Sequence, residues 1–83
     1  MANVRIIREV TNGVSKEWRL CFQWCEYIFE EEGYVEYGYR FIWRRPDGTL
    51  QAARGQARIP SLKDMHQLLA LAANEGWLGI ENQ

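Results

Sequence analysis

The chain has 83 residues, of which 47% are hydrophobic and 25% are charged, and its formal net charge is −1. This composition is typical of a globular domain and excludes a chain that is disordered throughout. No apolar run approaches the ~20 residues of a membrane-spanning helix, and the N-terminal residues lack the apolar core of a signal peptide. We therefore expect a cytoplasmic protein with a single domain over residues 1–83, near the lower size limit for folding without disulfides or a metal.

Three segments alternate apolar and polar residues as half-buried strands do. Residues 4–10 form the first predicted strand, and Asn12-Gly13 supplies a turn after it. Residues 17–29 and 34–44 follow, separated by a second predicted turn at Glu32-Gly33. In these two segments the large apolar side chains fall on one face and most charged side chains fall on the other. We therefore expect an antiparallel sheet with one buried face.

A fourth strand is predicted over residues 49–59, after the turn signal Pro46-Asp47-Gly48. The predicted turn lengths also set the register of the two hairpins. A two-residue turn at Glu32-Gly33 would place Phe22 opposite Trp43, so that aromatic side chains pair across the strands. The small residues of the fourth strand would then face the large aromatic residues of the third, as a well-filled face requires.

The C-terminal segment has the features of one helix. Pro60 ends the fourth predicted strand, and Ser61 is a favourable N-cap with Asp64 three residues later. Gly76 suits the left-handed conformation that often closes a helix. The predicted fold class is therefore α+β, a four-stranded antiparallel meander followed by one C-terminal helix (ββββα).

The apolar stripe of this helix is wide, and an apolar tail follows it. Two interpretations stay open, because the excess apolar surface suits packing within the chain and contact with a partner subunit equally well. Domains of this size often gain stability by dimerising, which favours a homodimer. The predicted dimer or partner interface consists of Leu68, Leu71, Trp77, Leu78 and Ile80.

Residue types that perform catalysis or bind metals form no constellation in the sequence. Cys21 and Cys25 lie on one predicted strand with their Cα atoms about 13 Å apart, which is too far for a disulfide or a shared metal. The only histidine, His66, has no titratable partner at a suitable spacing. The acidic run at 30–32 is typical of a solvated turn. We therefore expect no enzyme activity, no cofactor and no metal site.

The polar face of the predicted sheet carries arginines beside a tyrosine. Arginine has a planar guanidinium group that suits bidentate and stacked contacts. Guanidinium groups on phosphates, next to a ring on which bases stack, are what binding of single-stranded nucleic acid requires. The alternative is a solvated face whose arginines pair with nearby glutamates. The predicted nucleic-acid-binding residues are Arg19, Tyr27, Arg40, Arg44, Arg54 and Arg58.

One local pattern resembles a known family. The pattern consists of Arg40-x-x-Trp43-x-x-Pro46-x-Gly48, then Arg54, then a strand-to-helix junction with Leu62 and Leu69. Over residues 34–72 it resembles the single-stranded-DNA-binding transcriptional coactivator domain of the positive-cofactor-four type, and more loosely the Whirly fold. The resemblance implies a transcription-related homodimer built through its helices, with single-stranded DNA or RNA on the sheet. Its matched positions are Arg40, Trp43 and Arg54, although the alternation places Trp43 in the core.

Two functions are predicted as alternatives. The first is a small module that binds single-stranded nucleic acid on the arginine-rich face of its sheet, and it requires the helix to leave that face uncovered. The second is a protein–protein interaction or homodimerisation module with no nucleic-acid role. The second function requires the apolar helix and tail to be available to a partner, so burial of Trp77 in its own core would count against it.

Overall fold

The computed structural model describes residues 3–51 and 57–78, in which three strands precede one helix. The elements are β1 (Asn3–Thr11), β2 (Arg19–Phe29), β3 (Tyr34–Arg44) and α1 (Leu62–Asn74). The strands form one antiparallel sheet in the order β1-β2-β3, so β2 lies in the middle. The first three predicted strands and the predicted helix are confirmed, and β2 begins two residues later than predicted.

The predicted four-stranded meander is wrong, because the described residues form a sheet of three strands. The turn over residues 46–48 does form: the N–H of Arg45 donates to the carbonyl of Thr49 at 2.8 Å, and an isolated bridge joins Arg44 to Leu50. Strand pairing does not continue to residues 57–59, because these residues have no strand conformation. The rest of the predicted strand, residues 52–56, lies outside the described residues.

The segment that leads into the helix bonds to a side chain of the sheet instead of to its edge. The carbonyl of Arg58 accepts a hydrogen bond from the indole N–H of Trp43 at 3.0 Å. Ile59 packs against the hydrophobic core. Ile59, whose position in the alternating pattern favoured a strand, therefore covers the core without belonging to one. Alternation alone predicted the wrong type of element for residues 57–59.

The β2–β3 hairpin closes through a four-residue turn and not through the predicted two-residue turn. Residues 30–33 form it; the N–H of Gly33 donates to the carbonyl four residues earlier at 2.8 Å, and its φ is +77°. The predicted register is therefore wrong by two residues, since Phe22 pairs with Phe41 and not with Trp43. Because the shift is even, every side chain keeps its predicted face, and aromatic side chains still pair with one another.

β1 contains an irregularity that changes which of its side chains share a face. The register with β2 shifts between Ile6 and Arg8, which makes Ile7 an extra residue of the β-bulge type. After the bulge, Glu9 pairs with Gln23 of β2. Simple alternation from the start of the strand would have placed Glu9 on the other face of the sheet.

Helix α1 packs on one face of the sheet, which we call the helix face. The buried core between them consists of Val10, Leu20, Phe22, Leu68, Ala72 and Trp77. Trp24, Tyr39, Phe41, Trp43 and Ile59 pack around this core and are partly buried. The aromatic residues predicted to fill one face of the sheet therefore do lie on the side that the helix contacts.

Both ends of α1 are formed as the sequence predicts. The hydroxyl of Ser61 accepts a hydrogen bond from the N–H of Asp64 at 3.1 Å, which satisfies one of the free N–H groups of the first turn. Gly76 has a φ of +84°, in the left-handed region that glycine adopts without a steric cost. Trp77 follows and is only 2% exposed. The reversal at Gly76 thus brings Trp77 back onto the core.

The helix begins at one end of the sheet and stops near its middle. The amide nitrogen of Asn12, in the β1–β2 connection, donates to Asp64 at 3.0 Å and to Gln67 at 2.8 Å, which fixes the first turns of α1 at that end. At the other end of the helix, the ring of Trp77 stacks on Phe22 with centroids 5.6 Å apart.

Helix α1 therefore covers only half of the helix face. Towards the turn at 30–33, Val35 is 47% exposed and Tyr37 is 54% exposed, although both lie on the face that the sequence predicts to be buried. Trp24 and Tyr37 stack there with ring centroids 5.8 Å apart. An open aromatic surface thus adjoins the helix.

We expect Leu68→Ala to lower the free energy of unfolding by about 2–5 kcal/mol, because it leaves a cavity at a fully buried position. The matched control is Leu62→Ala in the first turn, where the side chain is 78% exposed and the loss should stay under about 1 kcal/mol. Urea denaturation followed by circular dichroism measures both. Equal losses would contradict the orientation of α1 described above.

Candidate nucleic-acid interface

The face of the sheet opposite α1 carries predicted binding residues of β2 and β3, and we call it the arginine face. It is defined by four side chains, Arg19, Tyr27, Arg40 and Arg44. The β2 residues that alternate with them belong to the core and contact α1. The helix therefore lies on the other side of the sheet, as the nucleic-acid prediction requires.

A row of hydrogen bonds crosses the arginine face and joins all three strands. Nε and Nη2 of Arg44 donate to the carboxylate of Glu9 at 3.0 and 2.7 Å, which makes an ion pair between β3 and β1. The amide nitrogen of Gln23 donates to the same carboxylate. The amide oxygen of Gln23 accepts from Nε of Arg40 at 2.7 Å. Gln23 thus uses both ends of its amide to connect Glu9 with Arg40.

The base of the arginine face is buried. Cys21, Gln23 and Cys25 of β2 are each 0% exposed, and Ile42 of β3 is 5% exposed. Both cysteines are free thiols, as predicted, and burial raises the pKa of each. A buried thiol with a raised pKa is a poor nucleophile and packs as a small apolar residue. The polar row therefore rests on a closed, unreactive layer.

Glu9 is held in its charged form. Burial by itself raises the pKa of this carboxyl, but hydrogen bonds from Arg44 and Gln23, together with the charges of Arg44 and Arg19, outweigh burial and lower the pKa overall. The hydrogen bond to Glu9 likewise raises the pKa of Arg44. The two groups therefore stabilise each other's charge, and Arg44 is part of the framework of the face.

The arginine face carries Arg19, Arg40 and Arg44 against two carboxylates, Glu9 and Glu36, the second of which lies opposite Tyr27. Arg19 and Arg44 are directly opposite each other, a like-charge pair that is destabilising unless something offsets it. Glu9 neutralises Arg44, whereas Arg19 donates to the backbone carbonyl of Glu17 and Arg40 donates to a neutral amide. Within residues 3–51 and 57–78, neither Arg19 nor Arg40 has a carboxylate at salt-bridge distance. These two guanidinium groups can therefore accept an anionic partner.

Tyr27 supplies an aromatic surface beside the arginines. Its ring lies over Gly38, since a Cβ at that position would stand 3.6 Å from Cε2 of the ring. Gly38 is the cross-strand partner of Cys25, so the ring leans diagonally over it. Burial raises the pKa of Tyr27 although Arg40 acts in the opposite direction, and the hydroxyl stays protonated at neutral pH. The ring is partly exposed next to Arg40.

The other two predicted nucleic-acid-binding residues do not join this cluster in the described structure. Arg54 lies outside the described residues. Arg58 was expected on a fourth strand beside β3, but it has no strand conformation and its carbonyl bonds to Trp43, which belongs to the helix face. Of the predicted residues that the structure describes, it therefore brings together Arg19, Tyr27, Arg40 and Arg44.

The residues of the predicted partner interface differ in exposure: some are buried in the core and others are exposed. Leu68 is 0% exposed and Trp77 is 2% exposed, so both are part of the core and neither is available to a partner. Leu71 is 36% exposed and Leu78 is 80% exposed. Ile80 lies outside the described residues. The prediction of Leu68 and Trp77 as contact residues is wrong, because α1 turns Leu68 towards the sheet and the reversal at Gly76 folds Trp77 onto the core.

Glu9 is the residue of this site that the sequence analysis missed. The pattern of β1 offers one signal, because the adjacent apolar residues Ile6 and Ile7 break the alternation at the position of the bulge. A bulge there exchanges the faces of the residues that follow. Without the register between β1 and β2, however, the sequence does not pair Glu9 with Gln23.

Other kinds of site were sought in the described part of the chain. No group of three or more His, Cys, Asp or Glu residues is placed to hold a metal ion there. His66 is exposed on α1, at the rim of an apolar groove. The one helix within residues 57–78 is too short to cross a membrane.

Comparison with known proteins adds no assignment. The chain matches no protein-family model, and neither a curated protein nor a solved structure matches it significantly. The resemblance over residues 34–72 therefore stays a prediction.

We expect Glu9→Gln to destabilise the fold at neutral pH and to have less effect as the pH falls. The folded-state pKa of Glu9 is lowered, so its stabilising contribution is present above the unfolded-state pKa of about 4.5 and is lost as the pH falls through the folded-state pKa. Thermal denaturation of wild type and variant between neutral pH and pH ~3 tests this.

The control for Glu9→Gln is Glu36→Gln, at an exposed position that forms no ion pair among the described residues. Glu36→Gln should leave the melting temperature close to that of the wild type at neutral pH. A stability gap between wild type and Glu9→Gln that persists unchanged at acidic pH would contradict the role given to the Glu9–Arg44 ion pair.

Proposed function

We propose that the arginine face binds single-stranded DNA or RNA in a sequence-tolerant manner, in a transcription-related role. The observation that carries the proposal is the pair of guanidinium groups of Arg19 and Arg40, which have no carboxylate partner among the described residues. They lie on the side of the sheet opposite α1. Guanidinium groups bind phosphate oxygens through charged hydrogen bonds, so this side suits a phosphodiester backbone.

The position of Tyr27 supports a single strand over a duplex. Its partly exposed ring adjoins Arg40, so one nucleotide can place its phosphate on the guanidinium group and its base on the ring. Bases are free to stack on a protein ring only when the strand is unpaired. Arg44 has a structural role in this proposal, because its ion pair with Glu9 joins β3 to β1 and neutralises its charge.

Binding of a fluorescent oligo-dT at low salt tests the proposal. We expect affinity to fall as salt rises, with a log–log slope of about −0.7 for each phosphate contact on a single strand. Arg19→Gln with Arg40→Gln should remove about two such contacts, and thus weaken binding and flatten the slope. Fluorescence anisotropy measures both quantities.

The matched control for these arginine substitutions is Arg8→Gln, which makes the same chemical change at an exposed position on the helix-face side of β1. It should leave the affinity for oligo-dT nearly unchanged. Absence of binding by the wild type at low salt would refute the proposed function. A loss for Arg8→Gln as large as that for the Arg19→Gln, Arg40→Gln double variant would show that binding is not located on the arginine face.

We expect Tyr27→Leu to cost about 1–3 kcal/mol of binding free energy for oligo-dT, because one stacked base loses its platform. The control is Tyr37→Leu, an exposed tyrosine on the helix face. Anisotropy with oligo-dT and with a blunt duplex measures the effect. A similar loss for the duplex would indicate that Tyr27 contributes to the fold of the face and not to stacking.

A further inference from the structure

The uncovered half of the helix face forms a continuous apolar surface with the outer side of α1. On the sheet it consists of the exposed Val35 and Tyr37 with the partly buried Trp24 and Tyr39 beside them, and we call these four residues the aromatic half. On the helix, His66, Leu69 and Ala73 follow one another at helical spacing and are exposed, and we call them the outer stripe. The two areas meet at an apolar groove of 470 Å³ with Phe22 and Trp77 in its walls.

The outer stripe and the aromatic half differ in shape, and this difference determines which partner surface can pack on them. The outer stripe lies on α1 and forms the helix wall of this groove, whereas the aromatic half belongs to the sheet on which α1 packs. Leu69 is 45% exposed, and Val35 and Tyr37 are 47% and 54% exposed, so both areas are open to a partner. A protruding apolar helix beside an apolar hollow is complementary to a second copy of itself turned end for end.

The charges at the two ends of the molecule indicate the same arrangement. The turn that follows the aromatic half carries the consecutive exposed carboxylates of residues 30–32. The end where α1 begins carries Arg45, Arg58 and Lys63 against the carboxylates of Asp47 and Asp64, which leaves it with an excess of positive charge. A two-fold axis perpendicular to the strands would place the acidic turn of each copy near the basic end of the other, where opposite charges attract.

We infer that the helix face is a homodimer interface in which the outer stripe of each copy packs on the aromatic half of the other. This contact is formed between helix and sheet, and it differs from a dimer built through paired helices. It also lies on the side of the sheet opposite the proposed nucleic-acid interface. The two proposals are therefore independent, and failure of one leaves the other standing.

Sedimentation of the wild type should show a dimer whose dissociation constant rises with salt. Leu69→Asp on the outer stripe and Val35→Asp on the aromatic half should each raise this constant by more than about tenfold, because each places an unpaired carboxylate in an apolar contact. Val4→Asp is the matched control, since Val4 is 38% exposed on the other face of the sheet. Circular dichroism checks that all three variants are folded.

Mixing the two interface variants distinguishes the helix-to-sheet arrangement from any other dimer. In a heterodimer of Leu69→Asp with Val35→Asp, one of the two symmetric contacts holds both substitutions and the other holds none. Native mass spectrometry, which resolves the two chains by mass, should therefore show a heterodimer in more than twofold excess over either homodimer, the excess that random pairing of equal amounts alone would give. A monomeric wild type, a dimer insensitive to Val35→Asp, or a heterodimer no more abundant than random pairing predicts would overturn the inference.

Discussion

The middle strand is buried on both of its faces, and this constraint governs the rest of the structure. On one face β2 contributes Leu20 and Phe22 to the core, and on the other it buries the amide of Gln23 completely. A buried amide without partners costs about 1–3 kcal/mol, so its donor and its acceptor both have to be satisfied. Gln23 finds Glu9 on β1 and Arg40 on β3, which ties the positions of both outer strands to one side chain.

The same network divides the arginines of the exposed layer into two kinds. Arg44 is neutralised by Glu9, and removing either group would leave the other partly buried without its counter-charge. Arg19 and Arg40 instead donate to neutral oxygens and keep their charge available. Arg40 serves both purposes, because its Nε satisfies Gln23 while the rest of the guanidinium group projects beside Tyr27. The hydrogen bond to Gln23 thus positions the guanidinium group of Arg40 without neutralising its charge.

Alternation in the sequence was enough to predict which side chains of β2 and β3 lie on each face. Side chains alternate with a period of two, so an error of two residues in the register leaves every side chain on its predicted face. Alternation was not enough to predict the register itself, since the acidic residues at 30–32 suit a four-residue turn as well as the end of a strand. Two features depend on tertiary contacts that no local pattern contains. One is the bulge at Ile7, which moves Glu9 to the arginine face, and the other is the attachment of Arg58 to Trp43, which replaces the fourth strand.

A net charge of −1 does not oppose an anionic ligand here, because the charges are separated along the sheet. Arg19 and the turn at 30–32 stand at opposite ends of an eleven-residue strand, roughly 33 Å apart, whereas charges are screened within about 8 Å at physiological ionic strength. A phosphate near Arg19 therefore responds to the local arginines and not to the acidic turn, whereas a base on Tyr27 would lie beside Glu36, the direct cross-strand neighbour of that tyrosine. The same separation of charge orients the two copies in the proposed dimer. Because the copies contact each other through their helix faces, the two arginine faces point outwards on opposite sides of the dimer. A short oligonucleotide cannot reach both, so each copy binds its own strand and dimerisation adds no avidity for short ligands.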